Sequence, residues 1–173
     1  MLRFQTVISQ SQKMKDNLLQ FPIEQKVYNL ALGYASEQAN LEVGLKHFYN
    51  TMTVWAVNHL IGWMEFETIL DKDDDWSVAI ESALELADLE LPGIGKIQCC
   101  RIGEGETKIC VPAQDDRIAY IFVELPDSLD QVKLLGFLSA ADIDGDTVEL
   151  SVTDLQPFDR LSDYLRTFEL QSV

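Results

Sequence analysis

Histidine occurs only twice in this chain of 173 residues, at positions 47 and 59, and cysteine three times, at 99, 100 and 110. A serine or thiol nucleophile needs a base within reach and a third group to orient that base. His47 and His59 stand twelve residues apart on one expected helix, so such a constellation has few ways to form. His47 points away from the apolar face, whereas His59 sits within it, one turn past Trp55. An odd number of cysteines, two of them adjacent, does not make a secreted disulfide framework. Three thiols without nearby histidines also fall short of a four-ligand zinc site, and free cysteine commonly serves as a small apolar residue. The nucleophile elbow Gly-x-Ser-x-Gly, the phosphate loop, the dinucleotide fingerprint and His-Glu-x-x-His are all missing. Gly93-Ile94-Gly95 follows Pro92 and reads as a turn between strands. The sequence therefore assigns no catalytic residue, no metal ligand and no cofactor.

Long hydrophobic runs are missing too. The most apolar stretch, ending at Met64, is interrupted by Lys46, His47, Asn50, Asn58 and His59, whereas a membrane span needs roughly 20 predominantly apolar residues. The first residues, MLRFQTVISQSQKMKD, lack the apolar core and small-residue cleavage site of a secretory signal, so the expected compartment is the cytoplasm. Basic residues are scarce: 13 Lys and Arg face 29 Asp and Glu, a net charge of −16. The imbalance lies almost wholly in residues 65–173, which carry a net −17, while residues 1–64 carry +1. A phosphate backbone or an anionic membrane surface would be repelled by the second half, so neither nucleic acid nor a membrane is an expected partner.

What the chain does hold is a strong organising stretch, Leu41 to Met64. On a helix, Leu41, Leu45, Phe48, Met52, Trp55 and His59 fall on one face at spacings of three and four. Past Met52 a second apolar set joins: Val54, Val57, Leu60, Ile61 and Met64. A helix apolar nearly all round must be covered from several sides, which predicts the central helix of a core. Asn40 suits its N-cap, and an earlier helix opening at Pro22 carries Ile23, Val27, Leu30, Ala31 and Tyr34 on one face.

Beyond Met64, Glu65 to Ile69 alternate loosely and predict a short strand. Asp71, Asp73, Asp74 and Asp75 then precede Trp76, and the last of them can cap a short helix to about Ser82. They lack the spacing, the central glycine and the closing glutamate of a calcium loop. From about Ala87 the period becomes two. Leu89 and Leu91 lead to the Pro92-Gly93 turn, then Lys96–Ile102, Thr107–Val111, Arg117–Glu124, Val132–Leu138 and Thr147–Val152 read as strands. Asp144-Gly145 before the last strand is a hairpin signal. Pro157 opens a closing helix with Phe158, Leu161, Leu165 and Phe168 as its stripe.

The expected fold class is thus α+β: an N-terminal helical pair packed on a small antiparallel sheet of five to six strands, barrel-like or a meander, with a C-terminal helix. The segments are an arm at 1–20, a helical part at 21–64, an acidic joint with a short helix at 65–86, the β part at 87–153 and the last helix at 154–173.

The ordered series HLIGWMEFETIL, DKDDDW, LPGIGKIQC, DRIAYIFVEL, LLGFL and LQPFDRLSDYL resembles a cyanobacterial family known as domain of unknown function eighteen-twenty-two. The resemblance covers roughly residues 20–168. It implies a cyanobacterial, cytoplasmic protein and carries over no activity, cofactor or catalytic residue. Two functional readings stand. The favoured one is a non-catalytic interaction or regulatory protein whose protein partner, basic in the sharper version, meets Asp73, Asp74 and Asp75 beside Trp76. The alternative is a small-ligand sensor or enzyme with a pocket between helices and barrel, near Trp55, His59 and Trp76. A deep pocket with converging polar groups would favour the second; an exposed apolar patch would favour the first.

Overall fold

The computed structural model describes residues 19–71, 87–145 and 147–171. After a short strand at Leu19–Pro22 come two helices, α1 (Gln25–Ser36) and α2 (Leu41–Trp63), with Asn40 capping the second as the sequence predicts. The Asn40 side chain accepts a hydrogen bond from the Val43 N–H at 2.9 Å, satisfying one of the donors that a helix start leaves open. Every residue of α2 from Thr51 to Val57 is buried. Thr51 and Thr53 tolerate this because their hydroxyls donate to the carbonyls of His47 and Tyr49, each at 2.7 Å. The expected apolar stripe is real from Phe48 onward, but Leu41 is 79% exposed and Leu45 47%. The reason is where α1 crosses. It meets α2 at Gly44, where a Cβ would lie 2.9 Å from the Ala35 carbonyl oxygen, so the covered face begins with Gly44 and Phe48.

The end of α2 corrects the strand expected over residues 65–69. Glu65 takes a left-handed φ of 65°. Its N–H bonds to the Gly62 carbonyl and the Phe66 N–H to the Ile61 carbonyl, at 3.0 and 3.2 Å. This is a Schellman ending, and Phe66 folds back against the core instead of starting a strand. Such an ending usually announces itself with glycine; here glutamate holds the position and hides the signal. A short 3-10 turn, Ile69–Asp71, follows.

Seven strands are present among the described residues: β1 (Leu19–Pro22), β2 (Asp88–Leu91), β3 (Gly95–Gly103), β4 (Lys108–Pro112), β5 (Arg117–Leu125), β6 (Gln131–Ser139) and β7 (Thr147–Ser151). Five form a curled, mostly antiparallel half-barrel in the order β1-β6-β5-β3-β2, and β4 pairs with β7 in a separate ribbon. Because β4 leaves the main sheet, β5 returns beside β3 in parallel, where the sequence pattern suggested an antiparallel sheet. The Pro92-Gly93 turn joins β2 and β3 as a hairpin. Asp144-Gly145 does not: β7 crosses to β4 rather than pairing with β6, since a capped 3-10 turn at Ala140–Asp142 ends β6 first. Pro22, expected at the start of a helix, ends β1, an edge strand where a missing N–H is tolerated; the helix starts three residues later. Leu19 and Gln20, assigned to the loose arm, belong to that strand.

The half-barrel is covered on both faces. Ala119, Ile121 and Val123 of β5 join the core that holds the buried residues of the helices. Tyr120 and Phe122 face the other way, against Ile109 and Val111 of the ribbon. A strand buried on both sides reads as a continuous apolar run, which explains RIAYIFVEL. The last helix, α3 (Leu161–Glu169), buries Leu161 and Leu165 after one 3-10 turn containing the buried Phe158. Its Tyr164 hydroxyl donates to the Ile118 carbonyl at 2.6 Å, tying the helix to the sheet. The rest of the expected arm, Asp73, Asp74, Asp75, Trp76 and the short helix to Ser82 lie outside the described residues.

Candidate functional site

Trp55, His59 and Trp63 recur every four residues on α2 and line one edge of it. The side chain of Phe21, pointing inward from β1, packs among all three: ring centroids lie 5.3 Å from Trp55, 5.0 Å from His59 and 5.4 Å from Trp63. His59 also stacks on Trp55 at 5.7 Å and meets the edge of Trp63 at 4.7 Å. The structure therefore brings Trp55 and His59 together, as the ligand reading requires, but packs aromatic surface between them rather than space. The ring neighbours of His59 are aromatic, and neither Cys99 nor Cys100 is primed for attack. Burial holds the Cys99 thiol well above its usual value and pushes Cys100 up to about 12, so both stay protonated near neutral pH.

Open space lies instead at the N-terminal half of α2. A cleft of about 330 Å³ separates that helix from β3 and β4. Lys46 and Asn50, one turn apart, form its α2 wall; Gln98, Cys100 and Arg101 come from β3. Apolar surface closes it from below, with Ile109 and Val111 of β4 beside Tyr120 and Phe122 of β5. A second hollow of about 350 Å³ shares Lys46, Asn50 and Arg101 and extends outward to Leu45 and Tyr49. The Arg101 guanidinium sits 3.9 Å from the Tyr49 ring centroid, a cation–π contact that fixes the head over the helix.

The inner wall is built on a buried ion pair. Arg117, 5% exposed, bonds Asp88 at 2.9 Å and also Asp116. Its Nε donates to the Gln98 side-chain oxygen at 3.2 Å, while the Gln98 amide donates to the Ala87 carbonyl at 3.2 Å. Gln98 is thereby held in one orientation at the cleft. Burial holds the Asp88 carboxyl above the ordinary carboxylate range, against the opposing pull of Arg117. On the far side the Gln114 N–H donates to the Tyr120 hydroxyl at 2.8 Å, which fixes the phenol.

Chemically, the cleft offers amides, two cations, protonated thiols and an apolar floor. Among the described residues neither a histidine nor a carboxylate lines it. Sequence reasoning missed the site because Lys46 reads as an interruption of an apolar helix and Arg101 as an ordinary outward strand residue. The available signal was Gln98 and Arg101, two polar residues around a cysteine pair in a strand flanked by isoleucines. Elsewhere among the described residues, no cluster of three or more His, Cys, Asp or Glu side chains is placed to hold a metal ion. No helix there is long and apolar enough to cross a membrane.

No curated protein and no solved structure matches this chain. Residues 21–172 match the family described as protein of unknown function (DUF1822), which spans the helices, the half-barrel and the ribbon, and the chain belongs to that family.

Proposed function

We propose that the protein is a non-catalytic binding module that takes a small organic ligand in the cleft between α2 and the β3–β4 face. The observation that carries this reading is the cleft itself. Its volume, about 330 Å³, lies in the range of ligand pockets, and polar groups from α2 and β3 converge above an apolar floor. The absence of a lining histidine or carboxylate among the described residues, with the Cys99 and Cys100 thiols held protonated by burial, favours binding over acid–base or nucleophilic chemistry. Free Cys99, Cys100 and Cys110 suit a reducing compartment, which supports a cytoplasmic setting. A fragment screen on the ¹⁵N-labelled full chain tests it. Amides of Lys46, Asn50, Gln98–Arg101 and Ile109–Val111 should shift together; a library that leaves them all unmoved refutes the reading.

The protein-partner reading is supported by a different observation. Leu41, Val43 and Leu45 are exposed on α2 next to the outer hollow. In the same experiment, fragments that move only the Leu41–Leu45 amides would favour that reading instead.

A further inference from the structure

We propose that the ligand is a small organic anion: a carboxylate or phosphate head held between Lys46 and Arg101, with its apolar body on Ile109, Val111 and Phe122. This rests on the cleft reading above and adds the chemistry of what fills it.

Charge gives the first argument. The chain carries 29 acidic residues against 13 basic ones, yet two cations and, among the described residues, no carboxylate line this cleft. Three cations of the main sheet are already paired: Arg117 with Asp88, Lys96 with Asp116 and Lys133 with Glu124. Neither Lys46 nor Arg101 makes an ion pair among the described residues. Arg101 spends the face of its guanidinium on Tyr49, and that contact leaves its N–H edge available. The two heads come from different elements, so packing of α2 on β3 sets their spacing, not loop flexibility. At physiological salt the Debye length is about 8 Å, so the acidic surface elsewhere does not cancel two cations at contact distance.

The floor gives the second argument. Ile109, Val111 and Phe122 line the bottom of the cleft, so the surface beneath the cations suits a hydrocarbon or aromatic body, not a bare inorganic ion.

Four probes titrated into the ¹⁵N-labelled full chain test this: phenyl phosphate, benzoate, benzyl alcohol and inorganic phosphate. Phenyl phosphate, benzoate or both should shift the Asn50, Arg101 and Ile109 amides and bind at least tenfold tighter than benzyl alcohol. Whichever of the two binds more tightly identifies the head as phosphate or carboxylate. Arg101→Gln, and separately Lys46→Gln, should weaken that binding severalfold and flatten its salt dependence, with the thermal melt unchanged for the exposed Lys46 and only slightly lowered for Arg101, which also loses its contact with Tyr49. Benzyl alcohol binding as well as the anions, or Arg101→Gln and Lys46→Gln leaving anion affinity intact, overturns the anion assignment while the cleft reading survives. Inorganic phosphate binding as tightly as phenyl phosphate removes the apolar body from the proposal. Silence of these amides toward all four probes overturns both readings.

Discussion

Trp55→Ala is the sharpest test of the claim that α2 organises the core. The indole is 8% exposed, edge-on to Phe21 at 5.3 Å and stacked on His59 at 5.7 Å. Removing it deletes the apolar area and leaves a cavity between β1 and α2 that neither element can close, since β1 is fixed by its pairing to β6. Large-to-small aromatic changes at such sites cost about 3–5 kcal/mol. For a chain of this size each kcal/mol moves the melting temperature by about 2–4 °C, so the expected loss is roughly 6–20 °C. Trp63 provides the internal control. It belongs to the same aromatic group but is 47% exposed, so Trp63→Ala should cost about 1 kcal/mol or less. Urea melts followed by circular dichroism avoid reading the lost fluorophore as lost structure. A cost for Trp55→Ala under about 1 kcal/mol, or one equal to that of Trp63→Ala, would refute the reasoning, because burial would then not be what separates them.

Four further outcomes are expected. Glu65→Gly should raise stability by about 0.5–1 kcal/mol, since glycine relieves the left-handed conformation at the end of α2 at some entropic cost; a urea midpoint at or below wild type refutes it. Gly136→Ala should cost about 1–3 kcal/mol by overpacking, because its Cβ would lie 2.7 Å from the Leu155 Cβ and 2.8 Å from the Gln156 carbonyl at a φ of +156°; a neutral melt would place β6 elsewhere. Arg117→Leu should cost about 3–5 kcal/mol by stranding Asp88, and Arg117→Leu/Asp88→Leu should recover part of it in chemical melts. Cys100 has its proton held from the usual 9.0 up to about 12, so its contribution to stability is in place below the usual value and is lost as pH rises toward the raised one. Cys99 is shifted in the same direction. Stability should therefore fall as pH rises from about 9 toward about 12, less so in Cys99→Ala/Cys100→Ala; an equal fall in both proteins would remove the thiols as the cause.

Much of the architecture is legible from the chain because it rests on local rules. Asn40 before an apolar-periodic run specifies a cap and a helix, and the structure places both there. Pro92-Gly93 specifies a reversal, and Leu89, Leu91 and Ile97 alternate across it as a hairpin requires. Phe158, Leu161 and Leu165 recur at helical spacing and are all buried. The candidate site was far less legible. Its pieces are Lys46, Asn50, Gln98 and Arg101, more than fifty residues apart at the extremes, and each is unremarkable in its own segment.

Periodicity, capping and turn chemistry act over a few residues, so the sequence alone determined the helices, most strands and the α+β class. Pairing over distance belongs to the tertiary structure. Only there does β4 choose β7 over its neighbours, which forces β3 and β5 into parallel and opens the cleft against α2. Only there does Pro22 become the end of an edge strand, because Phe21 finds Trp55, His59 and Trp63 above it. A residue's alternation or helical spacing says which way it points; what it meets is set by segments that arrive from elsewhere in the chain.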